Sequence, residues 1–233
     1  MTIVRRAWIC LLLAACPSHP KKPDAKLDSP PDSPPDSGPC PTARFFTGEY
    51  VDWDSTDTVF CGIYMATFSI SGGPTDHTNP NGRFQLCLAA AQPTRVDITP
   101  PTGASMCVPS PGSYAMPGLT IADPAVIATG EVISLRDFTA ARSATLGVLL
   151  DAAKGEVFVH VDKTAQPVSI SSASDPAQAW NGTAWAAGNQ GINVFFSNVP
   201  VGNTTVSMTG GAIGTGSVPV EAAKITYVTL VGN

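Results

Sequence analysis

The sequence predicts an all-β protein, arranged as tandem small β-sandwich domains after a disordered Pro-rich linker. Three observations carry that expectation. Of its 233 residues, 43% are hydrophobic and only 13% charged, so apolar surface is ample for a folded core. The 21 glycines and 22 prolines interrupt the chain too often for long helices. From Phe45 onward, apolar residues fall in short, often alternating runs separated by Gly, Pro, Asn and Asp, at the spacing of a sandwich or barrel.

The first element is an address. Arg5 and Arg6 give a basic start, Ala7 to Ala14 an apolar run too short to cross a bilayer, and Leu13-Ala14-Ala15-Cys16 places small residues before a cysteine. This segment resembles the lipobox of bacterial lipoproteins. The resemblance implies removal of residues 1–15 as a signal peptide and a mature chain of 218 residues that begins at Cys16. It also implies that Cys16 is acylated on sulfur and amine; one acyl chain binds a membrane marginally and two bind firmly, so the anchor would be durable. The family's inner-membrane aspartate is absent, Pro17 standing there instead, which points to an outer-membrane anchor facing the periplasm or the cell surface.

Residues 16–42 follow as a lipid-anchored linker with a local Asp-Ser-Pro-Pro repeat and Leu27 as its one large aliphatic side chain. Such a stretch cannot bury a core. Its prolines favour extended conformations of about 3.1 Å per residue, the properties of a semi-rigid spacer.

Strand signals then run to the end of the chain. Thr58 to Ile70 reads as a first strand with both faces partly covered, and Asn79-Pro80-Asn81-Gly82 as a tight turn, because Asn-Gly accepts positive φ. In Arg83 to Leu88 the alternation is clean: Phe84, Leu86 and Leu88 point inward and Cys87 outward. Val96 and Ile98 repeat it, and Leu119 to Ile133 suggests two short strands around Asp123-Pro124. Phe138 to Leu150 carries the one helical spacing. Further strands are predicted at Glu156 to Val161, Pro167 to Ser171, Ile192 to Val199, Thr204 to Met208, Ser217 to Val220 and Ile225 to Val231. A division into residues 43–127 and 128–233 gives two domains of ordinary small size.

Charge excludes one class of function. Without Arg5 and Arg6 the chain has 11 basic against 18 acidic side chains, so the basic footprint of a nucleic-acid binder is missing. Cys10 falls within the leader, leaving Cys40, Cys61, Cys87 and Cys107 as disulfide candidates in an oxidising compartment. Three pairings are open, and Cys40–Cys61 with Cys87–Cys107 is favoured here. Each would close a loop of about twenty residues and contribute about 3 kcal/mol. No cysteine pair has the spacing of zinc ligands, and no cofactor is expected.

Two stretches echo each other. Phe68-Ser69-Ile70-Ser71 leads to Gly82-Arg83-Phe84, and Val168-Ser169-Ile170-Ser171 leads to Gly191-Ile192-Asn193-Val194-Phe195. Together with Asn198-Val199-Pro200-Val201-Gly202 and Lys154-Gly155-Glu156-Val157, this pattern resembles carboxypeptidase regulatory-like domains, which are transthyretin-type β-sandwiches found in tandem in exported bacterial proteins. The first copy lacks the Pro-x-Gly turn, and the second carries a Ser172 to Gln190 insert. The resemblance implies a non-catalytic accessory module.

The residues themselves offer little chemistry. His19, His77 and His160 are the only histidines, and no Gly-x-Ser-x-Gly elbow accompanies them, so an exported hydrolase on a β-scaffold is the rival reading. Asp52, Asp54 and Asp57 alternate as calcium ligands do, but the loop lacks the required glycine and glutamate. The binding candidates are Trp180, Asn181 and Trp185 in the insert, since aromatics beside an amide suit a sugar or a protein partner. The alternative for the two indoles is folding back to cap the sandwich. The predicted role is therefore a membrane-anchored, non-enzymatic protein that binds an envelope glycan or protein.

Overall fold

Among the described residues, alternation and turn chemistry are realised as seventeen short strands and two helical turns. The computed structural model describes residues 40, 44–56, 60–88, 92–102, 114, 116–162, 164–214 and 216–232, so Cys16, His19, Asp57, Cys107 and the linker apart from Cys40 lie outside it. In chain order the first half holds β1 (Phe45–Asp52), β2 (Thr67–Ser69), β3 (Thr75–His77), β4 (Arg83–Cys87), β5 (Thr94–Thr99), β6 (Gly118–Ala122), α1 (Pro124–Ile127), β7 (Ile133–Asp137) and α2 (Ala140–Thr145). The second half continues with β8 (Gly155–Asp162), β9 (Gln166–Ile170), β10 (Gln178–Trp180), β11 (Trp185–Ala187) and β12 (Gln190–Gly191). The last five are β13 (Asn193–Val199), β14 (Gly202–Met208), β15 (Ala212–Ile213), β16 (Gly216–Val220) and β17 (Ile225–Gly232). The chain is all-β.

Three layers result. The middle one is a ten-stranded sheet of order β11-β10-β13-β8-β17-β6-β5-β2-β3, with β15 paired to β17. A three-stranded sheet, β4-β1-β7, covers one face through a core of Phe46, Tyr50, Phe84, Leu135, Phe158 and Tyr227 among others. A four-stranded sheet, β12-β9-β14-β16, covers the other through Val157, Val159, Val194, Val206, Val218 and Leu230. Strands β8, β13 and β17 are therefore buried on both sides, which is why Val157 to Val161 reads as an almost unbroken apolar run. Phe158 serves one core and its neighbours Val157 and Val159 the other.

The two sandwiches expected in tandem thus share their middle sheet. The division expected between residues 127 and 128 falls inside one compact unit, Asp32–Asn233. Two pairings cross that division. β7 runs parallel to β1, with Tyr50 opposite Leu135, and β17 runs parallel to β6, with Thr226 opposite Leu119.

Local departures have local causes. Within the strand expected over Thr58 to Ile70, residues 60–70 are described, and of these only Thr67–Ser69 form a numbered strand, because Gly62 crosses the backbone of Asn81 and Gly82 and Met65 turns left-handed at φ 63°. Asn79 to Gly82 makes the expected tight turn: the Asn79 carboxamide oxygen accepts from the backbone N–H of Asn81 and Arg83 at 3.0 Å each, and Gly82 takes φ 71°. It does not close a hairpin. It carries the chain from β3 in the middle sheet to β4 in the outer one. Between the strands expected around Asp123-Pro124 sits α1, whose N-cap Asp123 accepts from Ala125 and whose first residue is the proline.

The disulfide expectation is corrected. Cys87 does face outward, but it is joined to Cys40, not to Cys107. Register explains the choice, since Phe45 lies opposite Cys87 and Leu88 donates to the Arg44 carbonyl, so the chain entering β1 passes beside the end of β4. With a sequence separation of 47 between the partners, the bond constrains the unfolded chain by about 4 kcal/mol. Cys61 is also disulfide-bonded, which leaves it no role as partner to Cys40.

Candidate functional site

The Ser172 to Gln190 insert builds the most distinctive surface of the molecule. Asn181 and Gly182 turn the chain back: the Asn181 carboxamide oxygen accepts from Thr183 N and Oγ1, both at 3.0 Å, and from Ala184 N at 2.9 Å, while Gly182 takes φ 102°. β10 and β11 form the resulting hairpin, with Trp180 directly opposite Trp185 and their rings 5.7 Å apart. β10 also pairs with β13, so the hairpin extends the middle sheet.

Both indoles fold inward. Trp180 is 6% exposed, and Trp185 stacks on Trp53 with centroids 3.8 Å apart and planes at 19°, its Nε1 donating to the Trp53 carbonyl at 3.4 Å. Trp53 is fully buried and takes edge contacts from Phe138 at 5.1 Å and Phe195 at 5.0 Å. Trp185 remains partly exposed. The tryptophans are thus the rim of the aromatic core, and Trp53, which carried no special signal in the sequence, is its centre.

Opposite the hairpin stands α2. Thr139 caps it, its hydroxyl accepting from Arg142 N at 3.2 Å, and fixes where the Arg142 side chain begins. Arg142 Nε and Nη2 donate to the two Asp54 carboxylate oxygens at 2.7 Å each, and Nη1 donates to Thr145 at 3.0 Å. Such a two-pronged contact fixes geometry as well as charge. Between hairpin and α2 lies an open cleft of about 490 Å³, lined by Asp54, Arg142, Gln178, Trp180, Thr183 and Trp185 among others. Asp54 follows β1, whereas the Cys40–Cys87 bond sits beside its first residue, so cleft and disulfide occupy opposite ends of that strand.

The remaining candidates do not converge there. Asp52 accepts from the Tyr114 hydroxyl at 3.3 Å, with burial raising its pKa, while Asp54 turns to Arg142; Asp57, the third member of the acidic run, lies outside the described residues. His77 is exposed near Thr67, 3.2 Å from its hydroxyl. His160 Nδ1 lies 2.8 Å from the Asn193 side chain; with the amide nitrogen facing the imidazole, its oxygen accepts from Arg136 Nε at 3.1 Å. Burial lowers the pKa of His160, keeping it neutral inside the sheet. Among the described residues no group of three His, Cys, Asp or Glu is disposed to hold a metal. None of their helices is long and apolar enough to cross a membrane.

Two buried carboxyl groups with raised pKa values escaped the sequence reading. Asp137 is wholly buried, receives the Tyr50 hydroxyl at 2.5 Å and Phe138 N at 2.7 Å, and burial pushes its pKa to about 7. Glu156 accepts from Asn198 N at 2.9 Å with one oxygen, leaves the other without a partner, and is raised to about 8, again chiefly by burial. No local signal announces either one, since Tyr50 is 87 residues from Asp137 and Asn198 is 42 from Glu156.

No family model matches the chain, and no curated protein matches it. Among solved structures, GBS52, the minor pilin of the Gram-positive pathogen Streptococcus agalactiae, aligns over 82% of this chain and 97% of its own, at 9% identity and a TM-score of 0.23. A likeness that slight carries no argument about function.

Proposed function

We infer that the chain is a tethered, non-catalytic β-protein of the cell envelope, held by a lipid on Cys16 and presenting its far end for structural or adhesive contact. The observation that carries this reading is the polarity of β1. The chain enters the fold at Cys40, pinned to Cys87, and the cleft lies past the other end of the strand, roughly 23 Å away at ~3.3 Å per residue. A Pro-rich spacer ahead of Cys40 would lift that far end clear of the lipid. The cleft also suits binding better than turnover: among its described lining residues the one carboxylate and the one guanidinium are spent on each other, and neither His77 nor His160 lines it.

Mass spectrometry of the mature N-terminus tests the tether. A lipid-modified Cys16 and partition into detergent are expected, with Cys16→Ser or the signal-peptidase inhibitor globomycin shifting the processing and the partition. An unmodified N-terminus on aqueous-phase protein overturns the reading.

A further inference from the structure

We propose that the cleft between the β10–β11 hairpin and α2 is a binding site for an uncharged saccharide. The proposal rests on the reading that the far end of the domain makes contacts in the envelope, and it supplies the chemistry of what is contacted. Size is the first argument. About 490 Å³ falls within the range of small-molecule sites, and the cleft is open enough for a chain to enter and leave.

The floor is the second. Trp185 is partly exposed in the cleft, while its stack on Trp53 and its bond to the Trp53 carbonyl fix the ring in place. A flat apolar surface already immobilised costs little further entropy when the C–H face of a sugar ring settles on it.

The rim is the third. The Gln178 amide makes no hydrogen bond within the described residues, and Thr183 and Thr145 carry hydroxyls with lone pairs to spare. Amides and hydroxyls donate and accept, as sugar hydroxyls do.

Charge selects within the saccharides. Among the described residues Arg142 is the only cation lining the cleft and Asp54 the only anion, and they neutralise each other through two 2.7 Å contacts. A carboxylate or phosphate ligand would have to draw Arg142 away and leave Asp54 unpaired, a loss that a neutral sugar does not incur.

The test uses the full mature chain in gels containing laminarin, dextran, mannan or galactan as neutral probes and polygalacturonate as the anionic one, with tryptophan fluorescence as a second readout. Retardation by at least one neutral probe is expected, indifferent to added salt. It should weaken about tenfold in Gln178→Ala, the loss of roughly one hydrogen bond. Trp185→Phe, which keeps a stacking ring against Trp53, should weaken it too. Retardation by no neutral probe overturns the proposal, as does retardation by polygalacturonate alone that salt abolishes, or neutral binding that Gln178→Ala leaves unchanged. Capture of a protein partner with no effect of any sugar would also overturn it. These outcomes do not depend on Cys16, so failure of the tether and failure of the site are read separately.

Discussion

At Gly82 a single methyl group decides whether three backbone segments can meet. A Cβ built there would lie 2.2 Å from the Tyr50 carbonyl oxygen and 2.9 Å from the Gly62 Cα, and the residue already sits at φ 71°. Tyr50 N donates to the Gly82 carbonyl and Ile63 N to the Tyr50 carbonyl, each at 2.8 Å, so neither neighbour can retreat without breaking a bond. Gly72 has nearly the same φ, 68°, with nothing within 4 Å of the added carbon. Gly72→Ala should therefore cost only the left-handed penalty, about 1 kcal/mol, whereas Gly82→Ala should cost about 3 kcal/mol or more. Urea midpoints of the two variants check this; equal losses would mean that conformation, not the crossing of backbones, sets the requirement for glycine at Gly82. The Asn79-Pro80-Asn81-Gly82 signal was readable because Asn-Gly is local chemistry. What Gly82 packs against was not.

Elements were legible in proportion to how much of their pattern is local. β4 declares itself through Phe84 and Leu86 alternating with Arg83, Gln85 and Cys87, because only one of its faces is buried. β8 and β13 read as strands too, but that both their faces are covered follows from a sheet order no periodicity encodes. The pairing of Cys40 with Cys87 depends on the register of β1 against β4, and the strand expected around Gly62 and Met65 failed on a backbone crossing at the first and a left-handed conformation at the second. The insert shows the same limit. Trp180 and Trp185 stand out in sequence, yet the partner that orders Trp185 is 132 residues earlier, at Trp53. Because the β10–β11 hairpin is held by that stack, Trp185→Ala should cost about 3–4 kcal/mol, as for an aromatic removed from a core, whereas a surface indole would cost no more than about 0.5 kcal/mol. Equilibrium unfolding in urea distinguishes the two, and near-ultraviolet circular dichroism should lose the signal of the stacked pair.

Three layers on one chain bury carboxyl groups where they meet, in the outer sheet as well as the middle one, and that sets how the whole molecule responds to pH. Glu156 lies on β8 and Asp137 closes β7, and burial raises them to about 8 and about 7. Both shifts are upward, so the folded protein holds protons that the unfolded chain releases from about pH 4 onward. Stability from these groups is complete below the ordinary carboxylate range, declines as pH rises through neutrality, and levels off above about pH 8. His160 works in the opposite direction: burial lowers its pKa, so acid below about pH 6.5 favours the unfolded chain, where the imidazole is free to charge. Two carboxyls outweigh one imidazole between about pH 5 and pH 8, so the melting temperature should fall across that window. Glu221 does not interfere there. Arg95 and Lys224 hold it down to about 2, and its contribution is lost only in stronger acid. Glu156→Gln keeps an oxygen for Asn198 N and removes the titrating proton. The variant should gain on the parent at about pH 8, by an amount on the order of a few kcal/mol at most, and match it more closely at about pH 5. Calorimetric melting temperatures of parent and variant across the window measure the effect, and parallel pH profiles for the two would mean that Glu156 is charged, and compensated, in the folded sheet.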